Sequence, residues 1–157
     1  MVKISLKLVP VNINDDLELI LAWRSNPNIY KWFQNQSKPL EWENHYNFWK
    51  NRVNRIDWII FYRERKIGVA YITDLSSQTP NVGLYIGELT LQNQGVGKKT
   101  MKEMICWAHS KNIKTLTATI HCDNKSSLHL FQKFGFNFEK FHDEEENWGL
   151  YLKSLID

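Results

Sequence analysis

The stretch that most restricts the fold is residues 92–97, QNQGVG, because its two glycines separate a strand pattern from a helix pattern. Residues 82–86 before it are strand-like, and the residues after it that recur at helical spacing are Met101, Met104, Ile105 and Ala108. Glycine allows a tight turn, and the first amides of a helix lack partners inside that helix. Because the helix dipole adds a positive field, the turn is a candidate site for phosphate or pyrophosphate. The same pattern also fits a turn with a purely structural role.

Two other phosphate-binding motifs do not match this turn. The P-loop has the form GxxxxGK followed by Ser or Thr, and here the glycines lie too close together. The dinucleotide fingerprint GxGxxG continues with small residues and needs an acidic residue about twenty positions further on, whereas this chain has Met101 and Lys102 after Gly97 and no suitable acid. The turn therefore belongs to neither class.

The composition argues against a nucleic-acid partner and gives no sign of a metal site. The formal net charge is +3, without the concentrated basic stripe of a nucleic-acid binder. Cys106 and Cys122 belong to no CxxC pair or His/Cys cluster with the spacing of metal ligands, so no metal is expected. Residues 1–8 alternate apolar and polar, unlike a signal peptide, and no apolar run is long enough to span a bilayer. We expect a cytoplasmic protein without nucleic-acid or membrane partners.

The N-terminal part of the chain predicts one strand and two helices. The strand ends at Pro10 and alternates through Val2, Ile4, Leu6 and Leu8. Asn14 is the predicted cap of the first helix, whose helical repeat is Leu17, Ile20, Leu21 and Arg24. Residues 25–28 interrupt this helix. A second helix is predicted over about residues 40–53, with one face formed by Trp42, Tyr46 and Trp49.

The rest of the chain predicts six strands and two helices within one domain over residues 1–157. The predicted strands cover residues 58–62, 67–73, 82–86, 115–120, 136–141 and 150–155. The polar residues 63–66 predict a hairpin between the first two of these strands. The last helix, over residues 126–134, is predicted to stop at Gly135. The order βααββ–βαβαββ indicates a mixed α/β domain whose sheet is covered by helices.

A second segment, residues 123–136, combines with the turn into a specific pattern. Its matching positions are Asn124, Ser127, Leu130, Phe131, Lys133, Gly135 and Phe136. Together the two segments resemble the GCN5-related N-acetyltransferase (GNAT) superfamily, and the resemblance spans roughly residues 55–142. It implies an acetyl-CoA-dependent N-acetyltransferase, with acetyl-CoA as co-substrate and no metal. The implied GNAT fold is a mixed, mostly antiparallel central sheet with helices on both faces.

The resemblance also implies which residues hold acetyl-CoA. The strand before the turn would splay from its neighbour, and its end would pair with the pantetheine arm through the backbone of Leu89, Thr90 and Leu91. An amide near Leu89 would polarise the acetyl carbonyl. The amides that would hold the pyrophosphate are those of Gln94, Gly95, Val96, Gly97, Lys98 and Lys99. Asn124 would hydrogen-bond the pantetheine, and the residues lining the other side of the cofactor would be Ser127, Phe131 and Lys133.

Acetyl transfer requires a deprotonated amine and a leaving thiolate that gains a proton. Many family members supply that proton from a tyrosine in the last helix, but the matching residue here is Phe131. Another group or water would then supply the proton, or the thiolate would leave unassisted, which a thiol pKa of about 8.5 makes workable. Relatives often carry a glutamate near the position of Asn81, so Glu88 becomes the predicted base as the carboxylate nearest the expected thioester. Tyr85 and His121 are the alternatives.

The predicted acceptor rests on residues 22–29, AWRSNPNI. This segment resembles one found in two subgroups: acetyltransferases of nucleotide-linked 4-amino-4,6-dideoxy sugars, of the pseudaminic-acid pathway type, and ribosomal-protein N-terminal acetyltransferases. The sugar subgroup is favoured by the segments at residues 43–45 and 83–85. Arg24 and His45 would then contact the nucleotide phosphates, and Trp32 or Trp49 would stack on its base.

Other acceptors and a role without catalysis stay open. The alternative acceptors are the N-terminus of a peptide, such as a ribosomal protein, and a small molecule such as an aminoglycoside. An acyl-CoA-binding sensor without turnover is the non-enzyme alternative. The Trp-rich N-terminal region would serve either as part of the cleft or as the interface of a homodimer.

Overall fold

A single mixed sheet organises the part of the chain that the computed structural model describes, residues 5–156. Its strands are β1 (Leu6–Pro10), β2 (Arg55–Tyr62), β3 (Arg65–Thr73), β4 (Asn81–Ile86), β5 (Thr115–His121), β6 (Asn137–Phe141) and β7 (Trp148–Ser154). They lie side by side in the order β1-β2-β3-β4-β5-β7-β6. Neighbouring strands are antiparallel except β4 and β5, which run parallel. The predicted sheet is therefore confirmed.

The helices are α1 (Leu17–Arg24), α2 (Pro27–Tyr30), α3 (Trp42–Asn51), α4 (Val96–Ser110) and α5 (Lys125–Lys133). The pattern did not predict α2, a single turn. It forms because the Asn26 side chain accepts a hydrogen bond from the Asn28 amide at 2.9 Å and Pro27 occupies the first helical position. Within residues 5–156, the helices are too short or too polar for any of them to cross a membrane.

Two apolar cores lie on opposite faces of the sheet. On one face, α4 and α5 bury Met101, Met104 and Phe131 against β4 and β5. On the other face, Ile20 and Trp23 of α1 and Trp49 of α3 pack against β2 and β3. Helices therefore cover both faces of the sheet, as predicted.

The sheet divides between its two parallel strands. β4 and β5 pair at one position, Asn81 with Thr117, and the Thr117 amide donates to the Pro80 carbonyl at 2.8 Å. The Asn81 side chain spans the same point, with its Nδ2 3.3 Å from Thr117 Oγ1 and 3.4 Å from Thr119 Oγ1. Beyond this pair the strands separate, and the separation opens a cleft.

The first helix begins later than the sequence predicts. Its N-terminal cap is Asp16, not Asn14, because Asn12 accepts hydrogen bonds from the next turn and holds Asn14 outside the helix. The Asp16 carboxylate accepts from the Asn12 amide at 2.7 Å and from Lys66 Nζ at 2.6 Å. Residues 2 and 4 of the predicted first strand lie outside the described residues, whereas Leu6 and Leu8 lie in β1.

Of the three residues predicted to share one face of α3, only Trp49 is buried. Trp42 and Tyr46 stack on each other at 6.1 Å on its exposed side, whereas His45 and Trp49 are buried. The two pairs both follow the spacing of one helical turn, so periodicity alone does not say which pair faces the sheet.

Candidate functional site

A cleft of about 700 Å³ opens where β4 and β5 separate. Its walls are these two strands, the N-terminus of α4, one side of α5, and residues 28–33, which belong to α2 and the turn after it. Among the described residues that line it, every side chain with a full charge is a lysine: Lys98, Lys125 and Lys133. The cleft therefore has a positive wall, formed by α4 and α5.

The N-terminus of α4 has the geometry of an anion site. Gly95 has a φ of +82°, which glycine adopts without strain, and the first hydrogen bond within the helix runs from the Lys99 amide to the Gly95 carbonyl at 3.2 Å. The amides of residues 96–98 precede that bond and belong to the part of a helix that has no internal acceptors. Gly97 also lines the cleft, where a Cβ would lie 3.3 Å from Leu130 Cδ2. This cradle fits a pyrophosphate.

The predicted residues of this turn divide into two groups. Those that line the cleft are Gly95, Val96, Gly97 and Lys98. Gln94 and Lys99 do not line it, since Gln94 Nε2 donates to the Thr90 carbonyl at 2.9 Å. Gln92 and Asn93 line the cleft instead of Gln94.

The side of α5 that faces the cleft carries the second predicted group, Asn124, Ser127, Phe131 and Lys133. Asn124 caps α5, because its Oδ1 accepts from the Ser127 amide at 3.3 Å. The group it can offer a ligand is therefore its Nδ2. Phe131 is buried against Phe136, with ring centroids 5.0 Å apart.

The chain leaves the cleft sooner after β4 than the resemblance implies. β4 ends at Ile86, and Leu89–Leu91 form a 3-10 turn whose residues do not line the cleft. Gly87 causes this exit: its amide donates to the Ile67 carbonyl at 2.7 Å, and a Cβ there would lie 2.3 Å from the Trp23 ring. The strand-end position predicted for Leu89, Thr90 and Leu91 is wrong, and Val82–Ile86 take that place.

Glu88 follows the same exit. Its amide donates to the Ile67 carbonyl at 3.2 Å, and its Oε1 lies 3.4 Å from Trp23 Nε1. It does not line the cleft, whereas Tyr85 does. Burial raises the pKa of the Tyr85 phenol well above its ordinary value, so this group keeps its proton near neutral pH.

Five aromatic residues on the α1–α3 side of the sheet line one end of the cleft, and we call them the aromatic chamber: Trp32, Phe33, Tyr71, Tyr85 and His121. Phe33 meets Tyr85 edge to face at 5.3 Å, and the Trp32 ring lies 5.7 Å from His121. Tyr71 lies over Gly83, where a Cβ would approach its ring to 2.3 Å. Phe33 and Tyr71 were not predicted; a glycine in the middle of a strand was the available signal, since it often marks a close approach.

Arg24 supports the chamber from outside. It does not line the cleft; its Nε and Nη2 donate to Gln36 Oε1 at 2.8 and 2.6 Å, and its guanidinium lies 3.7 Å from the Phe33 ring centroid. Burial lowers the pKa of this group, although it stays charged. Gln36 Nε2 in turn donates to the Arg24 carbonyl at 2.7 Å.

Two of the predicted acceptor residues are buried. His45 is 3 % exposed and its Nε2 lies 2.8 Å from the Leu17 carbonyl oxygen, so it joins α3 to α1. Trp49 is 5 % exposed in the same core. The predictions that these two side chains contact a nucleotide are therefore wrong, because packing occupies them. Trp32 does line the cleft.

The comparisons with known proteins identify a family and several relatives. Residues 5–137 match the family model described as the acetyltransferase (GNAT) domain. An uncharacterised protein of Methanocaldococcus jannaschii is 40% identical over 145 residues, which cover 89% of this chain and 30% of that protein. The chain thus spans less than a third of that relative. The crystal structure of a domain from the same organism superposes with a TM-score of 0.92 at 37% identity, covering 98% of this chain and all of that domain.

A more distant relative is the acetyltransferase PseH of Campylobacter jejuni, 27% identical over 139 residues, which cover 86% of this chain and 83% of PseH. The crystal structure of PseH in complex with acetyl coenzyme A superposes with a TM-score of 0.71 at 24% identity, covering 97% of this chain and all of that chain. This second likeness concerns the fold.

Proposed function

This chain belongs to the acetyltransferase (GNAT) family, and on that premise we propose that it transfers the acetyl group of acetyl-CoA to the amino group of a nucleotide-linked amino-deoxy sugar. The family confirms the predicted fold class, acetyl-CoA as co-substrate and the acetyl-CoA-dependent N-acetyltransferase. Membership of the family does not identify the acceptor. We infer the acceptor from the residues that line the cleft.

Acetyl-CoA supplies an activated thioester, and the residues of the positive wall fit its charged half. The cradle at residues 95–97 and the Lys98 side chain would hold the pyrophosphate by charge-assisted hydrogen bonds. Asn124 Nδ2 would donate to the pantetheine arm, and Phe131 would give that arm an apolar wall. These roles are proposals for residues that line one continuous cleft.

The observation that carries the acceptor proposal is the chemistry of the lining. Among residues 5–156, the charged side chains that line the cleft are all lysines, so an acceptor with several ammonium groups, such as an aminoglycoside, would meet repulsion and no counter-charge from them. The aromatic chamber joins ring faces with the amides of Asn28 and Asn81 and the Thr119 hydroxyl. Rings with a few polar groups suit a sugar, whose apolar faces stack while its hydroxyls form hydrogen bonds.

The transfer forms a carbon–nitrogen bond and breaks the carbon–sulfur bond of the thioester. The amine releases a proton to the solvent, and the departing thiolate gains one from the solvent. Phe131 donates none, and a thiol pKa of about 8.5 makes the thiolate a workable leaving group. The Tyr85 hydroxyl keeps its proton and would donate a hydrogen bond to the acceptor or the acetyl oxygen.

The test is an acceptor panel. The purified chain is incubated with acetyl-CoA and UDP-linked 4-amino-4,6-dideoxy sugars, N-terminal peptides of ribosomal proteins, or aminoglycosides, while free thiol is followed. We expect thiol release with the UDP-linked sugars. Release with peptides or aminoglycosides alone would reject the sugar proposal. Binding of acetyl-CoA in calorimetry without release from any acceptor would support the sensor alternative.

Three further statements about this protein stay predictions: one domain over residues 1–157, a homodimer and a cytoplasmic setting.

A further inference from the structure

His121 lies at the end of β5 and belongs to the acceptor side of the cleft. Strand alternation puts Ala118 and Ile120 into the core under α4 and α5, and it turns Thr119 and His121 toward the opposite face. The contact between Thr119 and the Asn81 side chain, and the contact between His121 and Trp32, both lie on that face. His121 therefore shares the aromatic chamber with Tyr85.

Its ring is held on two sides. Trp32 lies 5.7 Å away, tilted by 53°, and Trp148 of β7 lies 5.0 Å away, edge to face at 89°. Trp32 lies in the turn after α2 and Trp148 in the far half of the sheet, so the imidazole is packed between two segments that flank the cleft. Aromatic pairs in these geometries fix ring orientation.

The proton on this ring can be assigned from one hydrogen bond. The Asp123 amide donates to His121 Nδ1 at 3.0 Å, and an amide nitrogen can only donate. Nδ1 therefore accepts, which leaves the ring proton on Nε2. The groups near Nδ1 are the Asp123 carboxylate and the Cys122 sulfur, each 4.0 Å away. The edge with Nε2 is the one left for a ligand.

We propose that His121 is a specificity-determining residue that donates its Nε2 proton in a hydrogen bond to an oxygen of the acceptor. This inference rests on the proposed function, because a nucleotide-linked sugar offers hydroxyl and phosphoryl oxygens as partners. It also excludes the base role for His121 in this arrangement, since Nε2 carries a proton and Nδ1 is occupied. An N–H group whose orientation is fixed by two aromatic rings recognises an oxygen atom that accepts its hydrogen bond.

The test uses two replacements that separate the donor from the ring. His121→Phe keeps an aromatic ring between Trp32 and Trp148 and removes the donor. His121→Gln removes the ring and keeps an N–H at about the distance of Nε2. Steady-state constants for the UDP-linked sugar and for acetyl-CoA are measured with both variants, together with the melting temperature. The control is His109→Gln, because His109 is exposed on α4 and lies outside the cleft.

We expect His121→Phe to raise the acceptor KM about tenfold, the effect of one lost hydrogen bond, without changing the KM for acetyl-CoA. His121→Gln should restore most of that loss. The proposal is overturned if His121→Phe keeps the wild-type acceptor KM, or if both variants lose activity in proportion to a lower melting temperature. It is also overturned if His121→Gln lowers kcat and removes a limb of the pH profile, which would indicate proton transfer. Wild-type protein that releases no thiol with any UDP-linked sugar rejects the proposed function, and this inference with it.

Discussion

Glu88 follows β4, but its carboxylate lies 3.4 Å from the Trp23 indole nitrogen and outside the cleft lining. The structure therefore gives it a contact with α1 in place of the predicted contact with the amine. We expect Glu88→Gln to keep kcat/KM within about twofold of wild type from pH 6 to 9, because glutamine can accept the same indole hydrogen bond. The measurement is a pH–rate profile with saturating acetyl-CoA.

The control for Glu88→Gln is Glu103→Gln, which removes an exposed carboxylate from α4. A loss confined to Glu88→Gln that grows as the pH falls would show that this carboxylate does take the amine proton. In that case the carboxylate must reach the cleft through water.

His45 links a single ionisation to stability. Burial, together with the positive charge of Arg24, lowers the pKa of this imidazole, although its hydrogen bond to the Leu17 carbonyl acts in the opposite direction. The unfolded chain has the ordinary value of about 6.5 and therefore binds more protons below that pH. The free energy of unfolding should fall as the pH drops below about 6.5, by at most about 1.4 kcal/mol per pH unit for this one group.

The measurement is the denaturation midpoint at pH 7.5 and pH 5.5. His45→Gln, which can still donate to Leu17, should show a smaller difference between the two pH values than wild type. His109→Gln, at an exposed histidine, should retain the full difference. An equal pH dependence in His45→Gln and wild type would contradict the assignment.

At the level of elements, Arg24 joins the end of α1 to the loop over residues 31–39. Its two hydrogen bonds reach Gln36, and its guanidinium stacks on Phe33, which in turn contacts Tyr85. The guanidinium fork is what makes this possible, since lysine offers a point charge without the planar fork. Arg24 thus positions one wall of the aromatic chamber.

We expect Arg24→Lys to raise the acceptor KM by about five- to tenfold while the KM for acetyl-CoA stays unchanged, because the chamber loosens and the α4 cradle does not. Gln36→Ala should have a similar effect, and the double variant should be little worse than either single one, as expected for one coupled contact. If Gln36→Ala leaves the acceptor KM unchanged while Arg24→Lys raises it, Arg24 contacts the acceptor directly.

The sequence predicts elements well where the signal is local. Residues 63–66 predict a hairpin, and the structure has one whose turn residues Arg63 and Glu64 both have positive φ. Gly135 is predicted to end α5 and has a φ of +87°. Signals fail where distant contacts decide. The resemblance places Leu89 and Leu91 at the end of the strand, but Gly87 meets Trp23, far away in the sequence, and the strand ends at Ile86, as its residue pattern predicts.

The candidate site follows the same rule. The turn at residues 95–98 is predicted from its glycines and its following helix, which are neighbours in the chain. The residues of the aromatic chamber come from separate parts of the sequence. No local pattern therefore indicates that Tyr71 or Phe33 lies near Tyr85. Arg24 and His45 have the residue types of ligand contacts, and only the structure shows that their polar groups are paired with Gln36 and with the Leu17 carbonyl.

For the whole molecule, ligand binding should appear as thermal stability. A ligand at a hundred times its Kd adds about 2.7 kcal/mol to the free energy of unfolding. For a chain of this size that corresponds to a rise in Tm of roughly 5–10 °C. We expect coenzyme A to produce such a rise in a thermal scan, because the cleft that would hold it touches both halves of the sheet.

Two glycine variants make this test specific. Gly97→Val puts a branched side chain at the cradle itself, where even a Cβ would lie 3.3 Å from Leu130. This variant should abolish the shift. Gly95→Ala forces a φ of +82° on alanine, at a cost of about 1 kcal/mol, but its Cβ meets no atom within 4 Å. It should lower the Tm of the free protein and retain the shift. A shift that survives in Gly97→Val would contradict the assignment of the cradle.

The single pairing of β4 with β5, at Asn81 and Thr117, also affects local unfolding of the sheet. Strands β1–β4 form one antiparallel set and β5–β7 another, and few backbone hydrogen bonds have to break for one set to unfold without the other. Native-state hydrogen exchange should therefore resolve two cooperative units with different opening free energies. Since each unit supplies one wall of the cleft, opening of either unit would release a bound ligand, and ligand affinity would report on the cohesion of the two halves.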